Sequence, residues 1–436
     1  MQIDLAEYQN RRQLLMERMG EGAIAVLPAA EEKLRNRDTH YLFRQNSDFY
    51  YLTGFEESNA VLVIAPGRAH AETILFCEER DPLLEQWTGV RMGPERAGQQ
   101  LGLDDAFPAS DLADILPGML EGRERIFTTL GEHPDFDRDL LAWLHQLSER
   151  DVGGPGEIVA LSHLLHDLRL YKSAAELKLM KQAAAITEKA HRRAMSRCTP
   201  GMNESELEAE IIYEFMRSGA RHPAYPCIVA SGENACVLHY TRNNAPMQDG
   251  ELVLIDAGCE YQNYASDVTR TYPVNGKFSE PQRLIYEIVL RAQEAAIAEV
   301  KPGNDFNQPH DAAIGVMIEG LIDLGLLHGK PDEVRENGSY RDYCSHKVSH
   351  WLGLDVHDVG DYRVGDAWRL LEAGMVLTVE PGLYITRNAD VDKKWWNLGV
   401  RIEDDVVVTR KGHQVMTQAL PRTVAEIEAC MVEPSP

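Results

Sequence analysis

Two aspartates stand in segments that otherwise have the composition of buried β-strands. Asp256 directly follows the apolar run 252–255, and Asp267 lies within the apolar segment 265–269. An ionised carboxylate in such a strand is costly unless it is paired or binds a metal ion. Because the region of Gly258 has turn chemistry, we predict a hairpin that brings the two carboxylates together. Adjacent carboxylates repel each other, so the pattern predicts a metal ion between them.

Two glutamates occupy similar positions further along the chain. Glu380 ends the strand-like segment 375–380, before a Pro-Gly turn, and Glu403 lies within the predicted strand 399–408. Alternation along a strand puts Arg401 on the same face as Glu403, so a structural salt bridge is the alternative explanation for that glutamate. The four carboxylates together carry four negative charges, which two divalent ions would neutralise. Such a pair of ions lowers the pKa of a water molecule between them, which is the chemistry that the pattern indicates.

Three histidines, His346, His350 and His357, fall within twelve residues. Neutral imidazole binds metals and also moves protons near neutral pH, so the cluster suits either role, while any single histidine can equally be structural. His346 and His350 have the spacing of a helical zinc-protease motif, but Lys347 stands where that motif requires a glutamate, and we reject that interpretation. Oxygen-rich ligation with one histidine favours a hard ion such as Mn²⁺, although the pattern does not rank manganese, cobalt, iron and zinc.

Length and composition exclude several classes of protein. The 436 residues are 44% hydrophobic and 26% charged, as expected for a globular protein with a large core. The net charge of −25 disfavours nucleic-acid binding, and no run has membrane-spanning length. The first twenty residues are charged throughout and lack the apolar segment of a signal peptide. The seven cysteines are scattered without a CxxC pair, which is typical of free thiols in a reducing cytoplasm.

The elements of the first half alternate between helix and strand, so we predict an α/β domain. Its predicted helices are 5–19 and 139–150, and its predicted strands are 23–27, 60–65 and 72–76. The segment 44–55 is interpreted as a turn that leads into a buried aromatic strand. The glycine-rich segment 151–156 indicates a linker, and we place the domain boundary near residue 170.

The second half combines long helices with the strands that carry the acidic residues. Its helices are predicted at 173–198, where Ser173 supplies the N-cap, and at 205–218, 281–300 and 306–327. A further strand is predicted at 227–230, followed by a loop at 231–234.

Seven segments stand in the order of a known family. They are RQNSDFYYLTGF, SGENACVLHYTRN, DGELVLIDAGCEY, SDVTRTYPVNGKF, SHWLGLDVHDVG, GMVLTVEPGLYI and GVRIEDDVVVT. With them the chain resembles, over nearly its whole length, the aminopeptidase P family of pita-bread metallopeptidases. The resemblance implies an N-terminal α/β domain at 1–170, which takes part in pocket closure and in assembly as a dimer or tetramer. It also implies an α+β pita-bread domain of the creatinase/methionine aminopeptidase type at 171–436.

The resemblance further implies which residues bind metal and which act in catalysis. The implied ligands of two divalent ions, for which we predict Mn²⁺, are Asp256, Asp267, His350, Glu380 and Glu403. Asp267 and Glu403 would bridge the ions, and Glu380 would also handle the proton of the attacking water. The implied catalytic set further contains His239, His357 and Arg401, and His346 would contact the substrate.

The implied reaction is hydrolysis of the bond between the first residue of a peptide and a proline in second position. Because the nitrogen of that bond belongs to a ring, the pocket must accept the ring, and Tyr384, Trp87 and Trp351 are candidates to pack on it. Asp38 is a candidate to bind the free amino terminus. Lys347 departs from the family, which usually has a small residue there, and a long cation would narrow the channel or favour anionic groups.

Other activities agree with parts of the pattern. A prolidase, which cleaves Xaa-Pro dipeptides, would have the same ligands, so cleavage of longer peptides is the discriminating observation. A metal-free binding module or a creatine-hydrolysing relative would lack some of the ligands, and none of the five is missing. We therefore predict a cytoplasmic metallo-aminopeptidase that acts on peptides and has neither nucleic-acid nor membrane partners.

Overall fold

The computed structural model describes residues 3–150 and 153–432. Contacts divide the chain into two units, Met1–Arg169 and Leu170–Pro436. Residues 151–152 of the predicted glycine-rich linker lie outside the described residues. The strand Glu157–Ala160 that follows the linker pairs with Arg125–Thr128, so this connection lies within the first unit.

A six-stranded mixed sheet forms the centre of the first unit. In spatial order its strands are Asp105–Pro108, Thr73–Cys77, Val61–Ile64, Ala23–Pro28, Arg125–Thr128 and Glu157–Ala160. Two pairings are antiparallel, Ala23–Pro28 with Val61–Ile64 and Val61–Ile64 with Thr73–Cys77. The other three pairings are parallel, and every residue of the central strand Ala23–Pro28 is buried. The strands predicted at 23–27, 60–65 and 72–76 are confirmed.

Seven helices accompany this sheet in the described part of the chain before residue 171. They are Leu5–Met19, Ser47–Thr53, Pro82–Thr88, Pro94–Leu101, Leu112–Leu120, Pro134–Glu149 and Ser162–Leu170. Two of them, Leu112–Leu120 and Pro134–Glu149, share a hydrophobic cluster with the sheet, in which Leu116 and Leu140 join Ile24 and Phe76 of the strands. The helix predicted at 139–150 begins earlier, at Pro134, because proline is well suited to the first turn of a helix.

The segment 44–55 contains a helix, so the predicted aromatic strand is wrong. Helix Ser47–Thr53 begins after Asn46, whose side chain accepts hydrogen bonds from the backbone N–H groups of Asp48 and Phe49. It ends at Gly54, which has a φ of 66°. All seven helical residues are buried, which removes the polar face by which a helix is recognised in a sequence.

Helices of the second unit largely match the predictions. They are Ala174–Arg197, Glu204–Arg217, Glu280–Glu299, Gln308–Asp323, Pro331–Asn337 and Val424–Val432. Ser173 and Glu176 form a reciprocal capping box at the start of the first, as the sequence predicts for Ser173. The predicted loop at 231–234 is instead part of a 3₁₀ turn, Gly232–Cys236. No helix among the described residues has the length and apolar character needed to span a membrane.

Antiparallel sheets and ribbons carry the acidic segments of the second unit. Their strand groups are Ile228–Ser231 with Leu252–Asp256 and Thr269–Pro273; Tyr264–Ala265 with Cys259–Tyr261 and His222–Pro223; Val376–Val379 with Asp404–Thr409 and Gly412–Val415; Gly382–Ile385 with Leu398–Arg401; and Arg363–Val364 with Ala367–Trp368. Asp256 is thus the last residue of its strand, while the other three predicted carboxylate ligands lie just outside strands.

The predicted hairpin around Gly258 exists, but its turn lies further along the chain. Asp256 pairs with Thr269, and the chain reverses at Gln262 and Asn263, which have positive φ values of 52° and 64°. Gly258 serves a different purpose, since a Cβ atom there would lie 1.6 Å from the carbonyl oxygen of Ser266. Glycine therefore permits the close approach of the two ligand-bearing segments.

The first unit contains a buried ion pair between Asp48 and Arg169. Its carboxylate accepts from Arg169 Nη1 at 2.6 Å and lies 3.0 Å from His166 Nε2. Burial alone would raise the pKa of Asp48, but the hydrogen bonds and charges of His166 and Arg169 outweigh it and lower that pKa. The folded state therefore favours the charged carboxylate, and Asp48 stabilises the fold at neutral pH.

We expect Asp48→Asn to lower the free energy of unfolding by roughly 3 kcal/mol at pH 7, because it replaces the carboxylate that accepts from the buried guanidinium of Arg169 with a neutral group. The difference from the wild type should shrink as the pH falls towards the lowered pKa of Asp48, where the wild-type carboxylate is protonated as well. Urea unfolding at a series of pH values measures both quantities.

The matched control is Asp135→Asn, which removes a carboxylate that is 86% exposed and lies 2.8 Å from Arg138. An exposed pair of this kind should contribute less than about 1 kcal/mol. Equal effects of the two substitutions would contradict the importance of the buried pair.

Candidate metal centre

A cavity of about 1150 Å³ in the second unit collects the predicted metal and catalytic residues. Nine of them line it: Asp256, Asp267, Glu380, Glu403, His239, His346, His350, His357 and Arg401. These residues come from segments that span more than 160 positions of the chain, so only the fold brings them together.

Asp256 and Asp267 meet at the hydroxyl group of Tyr225. The Tyr225 oxygen lies 2.7 Å from Asp256 Oδ1 and 2.5 Å from Asp267 Oδ1. Burial and both carboxylates raise the pKa of Tyr225 well above its usual value, so the hydroxyl keeps its proton. A hydroxyl group has one proton to donate, so it satisfies one carboxylate at a time. The other carboxylate needs a further positive partner.

His350 lies between two of the other acids. Its Nε2 is 3.4 Å from Asp267 Oδ2 and 3.7 Å from Glu380 Oε1. Its Nδ1 faces the carbonyl oxygen of Trp351 at 2.9 Å, which orients Nε2 towards the acids. Ligand atoms of Asp267, His350 and Glu403 all lie within 4.8 Å of one another, close enough to hold one ion.

Backbone pairing fixes the position of His350 relative to Glu380. The strand Val376–Val379 lies beside the segment 348–352, with hydrogen bonds from Thr378 N to His350 O and from Glu380 N to Val348 O. Glu380 follows this strand directly, so its side chain enters the cavity at the strand's end.

The protonation of these groups tests whether cations fit the site. Burial raises the pKa of Asp256, Glu380 and Glu403, and repulsion between the carboxylates raises it further, to about 7 for Glu380. His350 shows the opposite response, because its hydrogen bond to Asp267 and the charge of Glu380 outweigh burial and raise its pKa to about 9. Without other cations, a proton on His350 thus supplies the counter-charge. Divalent ions would replace that proton and relieve the repulsion, so the donor set fits them.

Arg401 contacts two of the acids, Asp256 directly and Glu403 through Thr269. Its Nη2 donates to Asp256 Oδ2 at 2.6 Å, and its Nε donates to Thr269 Oγ1 at 3.1 Å. Thr269 in turn donates to Glu403 Oε2 at 2.7 Å. The alternative of an Arg401–Glu403 salt bridge is wrong, because the fold pairs Arg401 with Asp256.

Glu403 lies in a two-residue break between strands Leu398–Arg401 and Asp404–Thr409, so its predicted place inside one continuous strand is wrong. The three acids of the run 403–405 have different hydrogen-bond partners. Asp404 accepts from Arg270 Nη2 at 2.8 Å, and Asp405 accepts from Ser266 Oγ at 2.8 Å.

The remaining histidines form one wall of the cavity. His346 Nε2 lies 2.9 Å from the Tyr384 hydroxyl, and its Nδ1 lies 3.8 Å from Glu380 Oε2. Burial and the charge of Arg401 lower the pKa of His346 to about 4, so this ring is neutral near pH 7. His357 packs edge-on against His350, with ring centres 4.4 Å apart.

The aromatic residues proposed to touch the proline ring occupy other places. Tyr384 is 6% exposed in a separate apolar cluster, and its hydroxyl accepts from Arg401 Nη1 at 2.9 Å. Trp351 is fully buried, which is incompatible with direct contact to a substrate. The aromatic residues that do line the cavity are Tyr225, Phe306, Tyr362 and Trp368.

Trp87 and Asp38 both belong to the first unit. Trp87 is 87% exposed at the end of helix Pro82–Thr88, and Asp38 is exposed in the turn between two short strands, Leu34–Asn36 and Thr39–His40. Their assignment to substrate binding stays a prediction.

Three residues that the sequence analysis did not select support the centre. They are Tyr225, Thr269 and Asp405, of which Asp405 accepts from the backbone N–H of Asp267 at 3.1 Å. The sequence could have indicated two of them, because buried polar residues near a ligand commonly orient it. Asp405 belongs to the acidic run 403–405, and Thr269 lies two residues after Asp267. Tyr225 had no such signal, since its position becomes informative only when Ile228 pairs with Asp256.

Comparisons with known proteins agree with this geometry. The family model of metallopeptidase family M24 matches residues 178–410, and that of the aminopeptidase P N-terminal domain matches residues 8–127. The Xaa-Pro aminopeptidase of Escherichia coli K12 is 45% identical over 99% of this chain and 98% of its own length.

Solved structures show the same likeness. The structure of the Pseudomonas aeruginosa aminopeptidase PepP matches with a TM-score of 0.97 and 54% identity, covering 99% of this chain and 98% of its own. That of zinc-substituted E. coli aminopeptidase P in complex with product matches with a TM-score of 0.96 and 44% identity, covering 99% of each chain. The predicted fold is confirmed as an aminopeptidase P N-terminal domain followed by a pita-bread domain, and the chain belongs to metallopeptidase family M24.

Proposed function

We propose that this protein is an Xaa-Pro aminopeptidase, which removes the first residue from peptides that have proline second. The observation that carries the proposal is the convergence of four carboxylates and one imidazole in a single cavity, beside three further histidines and an arginine. Such a set is suited to metal-assisted hydrolysis of an amide bond.

We assign Asp256, Asp267, His350, Glu380 and Glu403 as ligands of two divalent ions. Four carboxylates balance the charge of two such ions, and oxygen-rich ligation favours Mn²⁺. When bound, such ions would lower the pKa of the attacking water and polarise the scissile carbonyl group.

The protein side chains then supply positioning and proton transfer. Glu380 accepts the proton of the attacking water, since its carboxylate borders both His350 and His346. A further histidine of the cavity lining, His239 or His357, donates to the developing oxyanion or to the departing proline nitrogen. Arg401 lowers the pKa of Asp256 through their ion pair and so opposes the rise that burial causes.

The aromatic cavity wall is suited to a proline ring. Phe306 lies 4.6 Å from the Tyr362 ring centre, and both line the cavity. The nitrogen of an Xaa-Pro bond has no hydrogen to donate, so the pocket can be apolar where other peptidases need an acceptor. We assign these two rings to the contact with the pyrrolidine.

We assign residues 1–170 to pocket closure and to assembly as a dimer or tetramer. Exposed apolar side chains around helix Pro82–Thr88, namely Leu83 at 72%, Trp87 at 87% and Val90 at 70%, are typical of a surface that another copy covers. All seven cysteines are free thiols, which supports a cytoplasmic location.

We expect Glu403→Ala to reduce metal affinity by more than about 100-fold and to abolish turnover, because it would remove a carboxylate that holds the ions rather than a supporting contact. Metal content per chain after dialysis against Mn²⁺, together with peptide cleavage, measures both effects, and circular dichroism checks the fold. Glu319→Ala, which removes an exposed carboxylate from helix Gln308–Asp323, is the matched control. Near-normal metal content and activity in purified Glu403→Ala would refute the ligand assignment.

Prolonged dialysis against a chelator should inactivate the wild-type protein, and Mn²⁺ should restore the rate. Metal analysis of the dialysed sample establishes that the ions were removed. A metal-free protein with an unchanged rate would rule out metal-assisted chemistry.

The substrate class is tested with Ala-Pro-Ala, longer peptides that begin Ala-Pro, the dipeptide Ala-Pro, and Ala-Ala-Ala. We expect release of the first alanine from all peptides longer than two residues with proline second, and a kcat/KM about 100-fold lower for Ala-Ala-Ala. Mass spectrometry identifies the products. Cleavage of the dipeptide alone would identify a prolidase.

A further inference from the structure

We propose that the cavity has a subsite for a carboxylate group of the peptide beyond the proline, formed by Lys347 and Arg363, whose side chains both lie over the ring of Trp368. These three residues are called the cationic patch below. This inference rests on the proposed aminopeptidase function and adds a preference for peptides that carry negative charge after the cleavage site.

The two cations of the patch share one aromatic ring. Lys347 Nζ lies 4.8 Å and Arg363 Cζ lies 4.2 Å from the centre of the Trp368 ring. Arg363 and Trp368 face each other across the ribbon Arg363–Val364 with Ala367–Trp368, whereas Lys347 follows His346 in a distant segment. All three residues line the cavity that contains the candidate metal ligands.

Neither cation of the patch has a carboxylate partner within ion-pair distance among residues 3–150 and 153–432. Arg401, the third basic residue of the cavity wall, is by contrast paired with Asp256. Asp361 also lines the cavity, and its carbonyl oxygen accepts from Arg369 Nε at 2.8 Å, but its carboxylate lies beyond ion-pair distance of Lys347 and Arg363. Two positive charges held near one ring without a counter-charge form a site for an anion, in a chain whose net charge is −25.

The aromatic support fixes the patch in place before a ligand binds. The Trp368 ring is half-buried and lies 6.4 Å from Phe306, which packs in turn on Trp351 and Tyr362. Contacts between a cation and an aromatic face restrict the long side chains of lysine and arginine. Less conformational entropy is then lost when the patch binds an anion.

The charge of a peptide decides which part of it the patch can contact. The amino terminus of the first residue is positive and would be repelled by Lys347 and Arg363, whereas carboxylates occur on the side that follows the proline. Two sources are available there: the terminal carboxylate of a short peptide such as Xaa-Pro-Yaa, and an acidic side chain in third position.

The test compares matched peptides with the full-length wild-type protein loaded with Mn²⁺. Ala-Pro-Ala and its C-terminal amide differ only in the terminal carboxylate, and Ala-Pro-Glu-amide and Ala-Pro-Gln-amide differ only in the acidic side chain. We expect kcat/KM to be about tenfold higher for the acidic member of one or both pairs, mainly through KM, and the preferred pair identifies the source of the carboxylate. The preference should decrease as the salt concentration rises from about 0.05 to about 0.5 M.

The double variant Lys347→Met, Arg363→Met should lose most of this preference, because methionine keeps apolar contact with Trp368 but carries no charge. Arg341→Met is the matched control, since Arg341 lies over the ring of Tyr340 outside the cavity lining and should keep the preference. If the double variant does not fold, the single variant Lys347→Gln and the salt dependence of the wild type provide the same comparison.

The outcomes separate this inference from the function on which it rests. Cleavage of both members of each pair at equal rates by the wild type would refute the carboxylate subsite and leave the aminopeptidase function intact. An equal loss of rate for acidic and neutral peptides in the double variant would assign the patch a purely structural role and refute the subsite as well. Failure to cleave any Xaa-Pro peptide would overturn the proposed function and this inference with it.

Discussion

The main physical constraint on the second unit is the repulsion between four carboxylates, which the fold brings together in one cavity. Burial makes each charge more costly, and proximity adds to that cost, as the raised pKa values of Glu380 and Glu403 show. Apolar packing does not offset this electrostatic cost, so the cavity needs positive charge beside the carboxylates. The guanidinium of Arg401 supplies part of it, and the remainder fits either a proton on His350 or divalent ions that would replace that proton.

The supporting residues keep the acids close despite their repulsion. Arg401, Thr269 and Glu403 form a continuous chain of hydrogen bonds that begins at Asp256, and Asp405 holds the backbone of Asp267. Because these contacts use buried side chains from separate strands, each acid has one orientation. A site assembled in this way is preorganised, which is the property that metal-assisted hydrolysis requires.

The sequence predicted the acids more reliably than the contacts between them. A buried strand with one charged residue is a local anomaly, so Asp256 stood out without any knowledge of the fold. The partner of Arg401 could not be predicted in the same way, because alternation pointed to Glu403 while the tertiary fold selected Asp256. The helix Ser47–Thr53 was missed for a related reason, since complete burial removes the amphipathic pattern on which helix prediction rests. Tyr225 was missed because only strand pairing places it beside the two aspartates.

The contact at Gly258 separates the metal centre from the tip of its own hairpin. Hydrogen bonds from Ala257 N to Val268 O and from Ser266 N to Cys259 O hold the two ligand-bearing segments together on both sides of the glycine. The spacing of Asp256 and Asp267 is therefore set by main-chain atoms, independently of the residues at the turn of Gln262 and Asn263. The tip can diverge among related chains while the ligands stay in register, whereas any side chain at position 258 would push the two segments apart.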